Sequence, residues 1–71
     1  MKYRVTHYSS PQEVVVAAGG DDINYMRRVF GEVVSMVSAS LADRQTKHVT
    51  LEAMTPAGWF VSTIAHVHQN L

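Results

Sequence analysis

Cysteine is absent from this 71-residue chain, which excludes disulfides and every thiolate metal site. Net charge is absent as well. Six basic side chains balance six acidic ones, so the attraction that supplies most non-specific nucleic-acid affinity is missing overall. No stretch approaches the roughly 20 apolar residues of a membrane-spanning helix. The opening MKYRVTHYSSPQEVV contains no continuous apolar run of the kind a secretory signal requires. The matching expectations are a reducing, cytoplasmic setting and no membrane partner. Catalytic signatures are missing too: there is no glycine-rich phosphate loop, HExxH or GxSxG, so neither an enzyme nor a cofactor is expected.

The length suits one domain spanning residues 1–71, and the initial methionine with no tag or linker reads as an intact small protein. A chain this short buries only about 60% of the surface its unfolded form exposes. Its core is therefore thin unless a metal or a second subunit adds to it.

Local patterning predicts an α+β fold in which an antiparallel sheet of three or four strands packs on one long amphipathic helix. Lys2 to Tyr8 alternates Tyr3, Val5 and His7 with Arg4, Thr6 and Tyr8, which suits a half-buried strand. Over residues 11–18 two signals conflict. Ser10, Pro11 and Glu13 match a capping box, with Gly19 placed to close a short helix. The β-branched run Val14-Val15-Val16 favours a strand paired with the first, and the strand is the preferred reading. Gly19-Gly20-Asp21-Asp22 then reads as a break followed by a helix cap.

From about Asp22 to about Arg44, helical projection gathers Ile23, Met26, Val29, Phe30, Val33, Val34, Val37 and Leu41 on one side, with Tyr25 and Met36 at its margin. Phe30, Val33 and Val37 are the expected buried residues. The opposite side carries a stripe of small residues, Gly31, Ser35, Ser38 and Ala42. It is either a bland exposed face or a second candidate interface where another backbone approaches closely.

Val49, Leu51 and Ala53 next alternate with His48, Thr50 and Glu52, and Thr55-Pro56-Ala57-Gly58 fits a type I turn leading into a return strand, Trp59 to Val67. An uninterrupted hairpin register places Met54 opposite Trp59, Glu52 opposite Val61, Thr50 opposite Thr63 and His48 opposite Ala65. One face then carries Val49, Leu51, Ala53, Phe60 and Ile64 toward the helix. The other carries Trp59, Met54, Val61, Glu52, Thr50 and Thr63, together with Ala65. A lone tryptophan among apolar neighbours on an outer face is the pattern of a contact surface; its bland alternative is a ring folded over the rim of the core. These six residues are the candidate partner-binding site.

Four histidines include His66 and His68, which alternation sends to one side of the strand. A zinc site needs a third ligand, and the uninterrupted register points His48 to the opposite face, so no metal is expected. Asp21 and Asp22 at the helix start would repel a phosphate and read as capping residues. Trp59, Tyr3 and Tyr8 could stack single-stranded bases as sheet-surface modules do, but no RNP-like run accompanies them. The expected function is a non-enzymatic interaction protein that self-associates as a homodimer, docks on a larger protein, or both. By size and style it matches accessory proteins of phages and mobile elements. The alternatives are a sheet-surface nucleic-acid-binding module and a small enzyme or metal protein using His66 and His68.

Overall fold

Alternating β-branched and aromatic residues at both ends of the chain form strands here, and the helical stripe between them forms the helix. The computed structural model describes residues 1–10, 13–40 and 46–68. Its elements are β1 (Tyr3–Ser10), β2 (Glu13–Gly20), α1 (Ile23–Ser40), β3 (Thr46–Thr55) and β4 (Gly58–His68). The strands make one sheet in the order β2-β1-β3-β4, antiparallel throughout. The chain's first strand thus sits in the middle, between its own hairpin partner and β3. The backbone nitrogen of Met54 donates to the carbonyl of Lys2 at 2.8 Å, prolonging the central ladder.

The β-branched run prevails in the contested segment: Glu13 opens a strand, and the capping-box reading is overturned, while Pro11 lies outside the described residues. Gly19 and Gly20 correct a second expectation. They do not break the chain but end β2, opposite Arg4 and Tyr3. Gly20 allows a close approach, since a Cβ there would come within 3.3 Å of the Met26 sulfur. The helix starts where its cap was expected. Asp22 Oδ1 accepts from the backbone nitrogens of Asn24 at 2.9 Å and Tyr25 at 3.3 Å, satisfying two of the donors a helix start leaves without partners. The expected end near Arg44 lies outside the described residues; α1 is described to Ser40.

One face of α1 packs on the sheet. Met26, Val33 and Val37 are buried against Val5, Val49, Leu51 and Val67, with Ile23, Val29, Phe30 and Val34 partly buried around them. Phe30 was expected to be buried and is only partly so; Met26 is the helix residue that is completely covered. Tyr25 and Met36 stay half exposed, as marginal residues of the stripe should.

The hairpin closes with Thr55 opposite Gly58, and Thr55 Oγ1 donates to the Gly58 carbonyl at 2.8 Å. Gly58 takes φ of 116°, a conformation that disfavours any side chain. Beyond the turn the register is not uninterrupted. Glu52 faces Val61 and Leu51 faces Thr63, which leaves Ser62 as an extra residue in β4. Thr50 therefore faces Ile64, not Thr63, and His48 faces His66, not Ala65.

The bulge exchanges the faces of everything after it. Ala65 and Val67 turn toward the helix, where Val67 is 6% exposed, while Ile64 turns outward and is 48% exposed. An unbroken alternation would have sent His66 under the helix in place of Val67. Burying an imidazole without partners costs more than burying a valine, which favours the shifted register, although His7, opposite Val49, does bury its Nδ1 without a hydrogen-bond partner among the described residues. Phe60, paired with Ala53 at the turn end of the hairpin, remains 56% exposed.

Candidate functional site

α1 covers only one face of the sheet. On the other face, side chains alternate outward from all four strands, and cross-strand pairing arranges them in rows. One row reads Gly19, Arg4, Glu52 and Val61; the next reads Val16, Thr6, Thr50 and Ile64. The centre is polar and the edges are apolar. Val14, Val16, Met54, Val61 and Ile64 are between 39% and 56% exposed, whereas Thr6, Thr50 and Glu52 are at most 8% exposed.

The polar centre is internally satisfied. Glu52 Oε1 accepts from Arg4 Nε at 3.0 Å and from Arg4 Nη2 at 2.8 Å. Glu52 Oε2 accepts from Thr50 Oγ1 at 2.8 Å, with Thr6 Oγ1 3.2 Å away. The two threonine hydroxyls also bond each other. Each hydroxyl has a single proton; the shorter contact assigns that of Thr50 to the carboxylate, which leaves the Thr6 proton for the Thr50 oxygen. A chain of donors thus runs from Thr6 through Thr50 to Glu52, each bond polarising the next.

Burial of Glu52 raises its pKa, but the Thr50 hydrogen bond, the bonds from and charge of Arg4, and the nearby Thr6 hydroxyl together outweigh it. The carboxyl is held below its ordinary value and stays ionised. Above this pair, the Arg4 guanidinium lies 4.3 Å from the centre of the Trp59 ring, within range for a cation–π contact. Trp59 is consequently half-buried on the outer face, held by Arg4, and does not fold over the rim of the core. Beside it, a cavity of about 370 Å³ opens between β2 and β4, lined among others by Lys2, Arg4, Val16, Gly19, Asp21 and Trp59.

Of the six residues expected at a contact surface, the structure brings Trp59, Met54, Val61, Glu52 and Thr50 together on this face. Thr63 lies opposite Leu51 on the helix side, and Ile64 takes its place. Glu52 and Thr50 are the buried centre of the face, not its contact rim. Sequence reasoning missed Arg4, Thr6, Val14 and Val16. Their alternation was visible, but the pairing of β1 with β3 that seats them beside Glu52 was not. In the other candidate interface Gly31, Ser35 and Ser38 are exposed on the back of α1 and a Cβ at Gly31 would meet nothing; Ala42 lies outside the described residues.

The histidines are also rearranged. His48 and His66 share the open face, their rings 4.6 Å apart and nearly perpendicular, so the geometric reason that separated them does not hold. Among the described residues no group of three His, Cys, Asp or Glu side chains is placed to hold a metal ion. Among the same residues no helix is long and apolar enough to cross a membrane.

Comparison with protein-family models, with curated proteins and with solved structures found no match to this chain.

Proposed function

We propose that this protein is a non-enzymatic interaction module of the cytoplasm whose contact surface is the open face of the sheet, used to bind a second copy of itself or a larger protein. The observation that carries the reading is the form of that face: exposed Val14, Val16, Met54, Val61 and Ile64 surround an Arg4–Glu52 pair that already satisfies its own charges. Covering such a face removes apolar surface from water without stranding a charge. Those are the conditions under which association is favourable. An accessory role of the phage or mobile-element kind suits a module of this size.

Nucleic acid is less well supported as a partner, because the arginine on this face is engaged by Glu52 and the chain carries no net charge. The test compares parent, Val61→Glu and Ser35→Arg as baits in parallel, with bound protein quantified by mass spectrometry and self-association by sedimentation. Whatever the parent holds in stoichiometric amount should be lost from Val61→Glu and kept by Ser35→Arg. Retention by Val61→Glu would refute the open face as the contact surface.

A further inference from the structure

Gly19 has no conformational reason to be glycine. Gly58 is the glycine with positive φ, and a Cβ at Gly19 would meet nothing closer than the Tyr3 carbonyl oxygen, at an ordinary 3.6 Å. Glycine in a strand weakens it unless something approaches closely. What its missing side chain leaves open is the cavity on the outer face, about 370 Å³ in volume. A site of about 150 Å³ already holds a benzene molecule, so there is ample room for an aliphatic side chain.

The rows of the face are self-complementary. Consider a two-fold axis parallel to the strands and running between β1 and β3. It lays the order β2-β1-β3-β4 over its own reverse. In the first row Gly19 then faces Val61 and Arg4 faces Glu52; in the second, Val16 faces Ile64 and Thr6 faces Thr50. Gap meets side chain and aliphatic meets aliphatic, while the Arg4–Glu52 pairs, each satisfied within its own chain, lie opposite one another without like charges in register.

The area is adequate too. Strands of 8, 8, 10 and 11 residues at ~3.3 Å per residue and ~4.8 Å apart make a flat face of roughly 600 Å². Side-chain relief raises its accessible area toward the ~800 Å² that each partner contributes to a stable interface. With no net charge, two copies do not repel.

Building on the open face as contact surface, we infer that a second copy of this chain covers it about that axis, with Val61 of the second copy seated in the gap at Gly19. The product is a four-layer assembly, helix–sheet–sheet–helix, of the isologous kind commonest among oligomers.

The absence of cysteine makes the test clean. Equal amounts of Gly19→Cys and Val61→Cys proteins are mixed and treated with a bismaleimide that bridges about 10 Å, the spacing of face-packed sheets. The expected product contains one copy of each variant. Two Gly19→Cys copies, or two Val61→Cys copies, hold their thiols roughly 17 Å apart in this geometry, beyond that reach. Products dominated by two copies of the same variant would overturn the axis. Gly19→Leu should raise the dimer dissociation constant at least about tenfold, as obstructing a central pocket does. If Gly19 were only structural, the change would alter monomer melting and leave association untouched. Sedimentation equilibrium showing a monomer at every concentration, together with loss of a foreign partner from Val61→Glu, would overturn the second copy while the open face stands as a contact surface.

Discussion

At the scale of single residues, Glu52 is the side chain whose chemistry is most constrained. It is 8% exposed yet ionised, because Arg4, Thr50 and Thr6 supply in the fold what water supplied before it. Its folded pKa lies below the unfolded one, so in acid the unfolded chain binds the proton more readily. The stabilisation is fully present above the unfolded value of about 4.3 and is lost as pH falls through the lower folded value. Glu52→Gln keeps the shape, removes the charge, and should cost about 1–3 kcal/mol at pH 7, the range for hydrogen bonds to charged groups. In urea titrations across a pH series, the gap between parent and variant should close below pH about 4.3. A gap that stays constant into strong acid would mean that the carboxylate is not stabilised by this network. The sequence placed Glu52 on the outer face opposite Val61, as one of six candidate contact residues, but did not reveal its network. Its partner Arg4 is 48 positions away, and periodicity carries no information about which strand lies beside which.

At the scale of elements, periodicity was informative wherever one rule acted alone. The cap at Asp22, the stripe of α1 and the turn at Thr55-Pro56-Ala57-Gly58 all appear where their spacing put them. The misreadings have a common cause: local pattern yielded to a tertiary requirement. Phe30 lies within the stripe, but the helix sits so that Met26 is fully buried, its sulfur close against Gly20 at the end of β2. Met26→Ala should therefore cost about 2–5 kcal/mol, and Phe30→Ala only about 1–2 kcal/mol, because a ring that keeps part of its surface in water has less transfer energy to lose. Thermal melts of the two variants test the placement, and the reverse ranking would contradict it. The bulge at Ser62 is the other case. Alternation along β4 offers either Ile64 and His66 or Ala65 and Val67 to the helix, and the bulge selects the second pair. Deleting Ser62 removes the extra residue and should leave a regular hairpin in which Thr63 still faces Leu51 and Val67 still turns toward the helix. The expected change is within about 1 kcal/mol, of the same order as the less than about 0.5 kcal/mol for Ser62→Ala. A large loss in urea denaturation on deleting Ser62, with Ser62→Ala near neutral, would contradict the pairing on the two sides of the bulge.

At the scale of the whole molecule, the two faces of one sheet divide the apolar residues between two uses. Val5, Val49, Leu51 and Val67 meet the helix and make the core. Val14, Val16, Met54, Val61 and Ile64 remain outside it, and no second helix among the described residues covers them. If a second copy covers them, folding and association are one equilibrium, and stability belongs to the dimer. Each tenfold rise in protein concentration then adds about 1.4 kcal/mol per dimer. Shared between two chains, that raises the melting temperature by roughly 3–6 °C at the 4–8 °C per kcal/mol usual for domains of this length. Differential scanning over a hundredfold concentration range should show the shift in the parent and in Ser35→Arg, which alters only the back of the helix. It should disappear in Val61→Glu, whose added charge lies on the covered face. A melting temperature independent of concentration in the parent would separate folding from association and leave the thin core of a single copy as the source of all its stability.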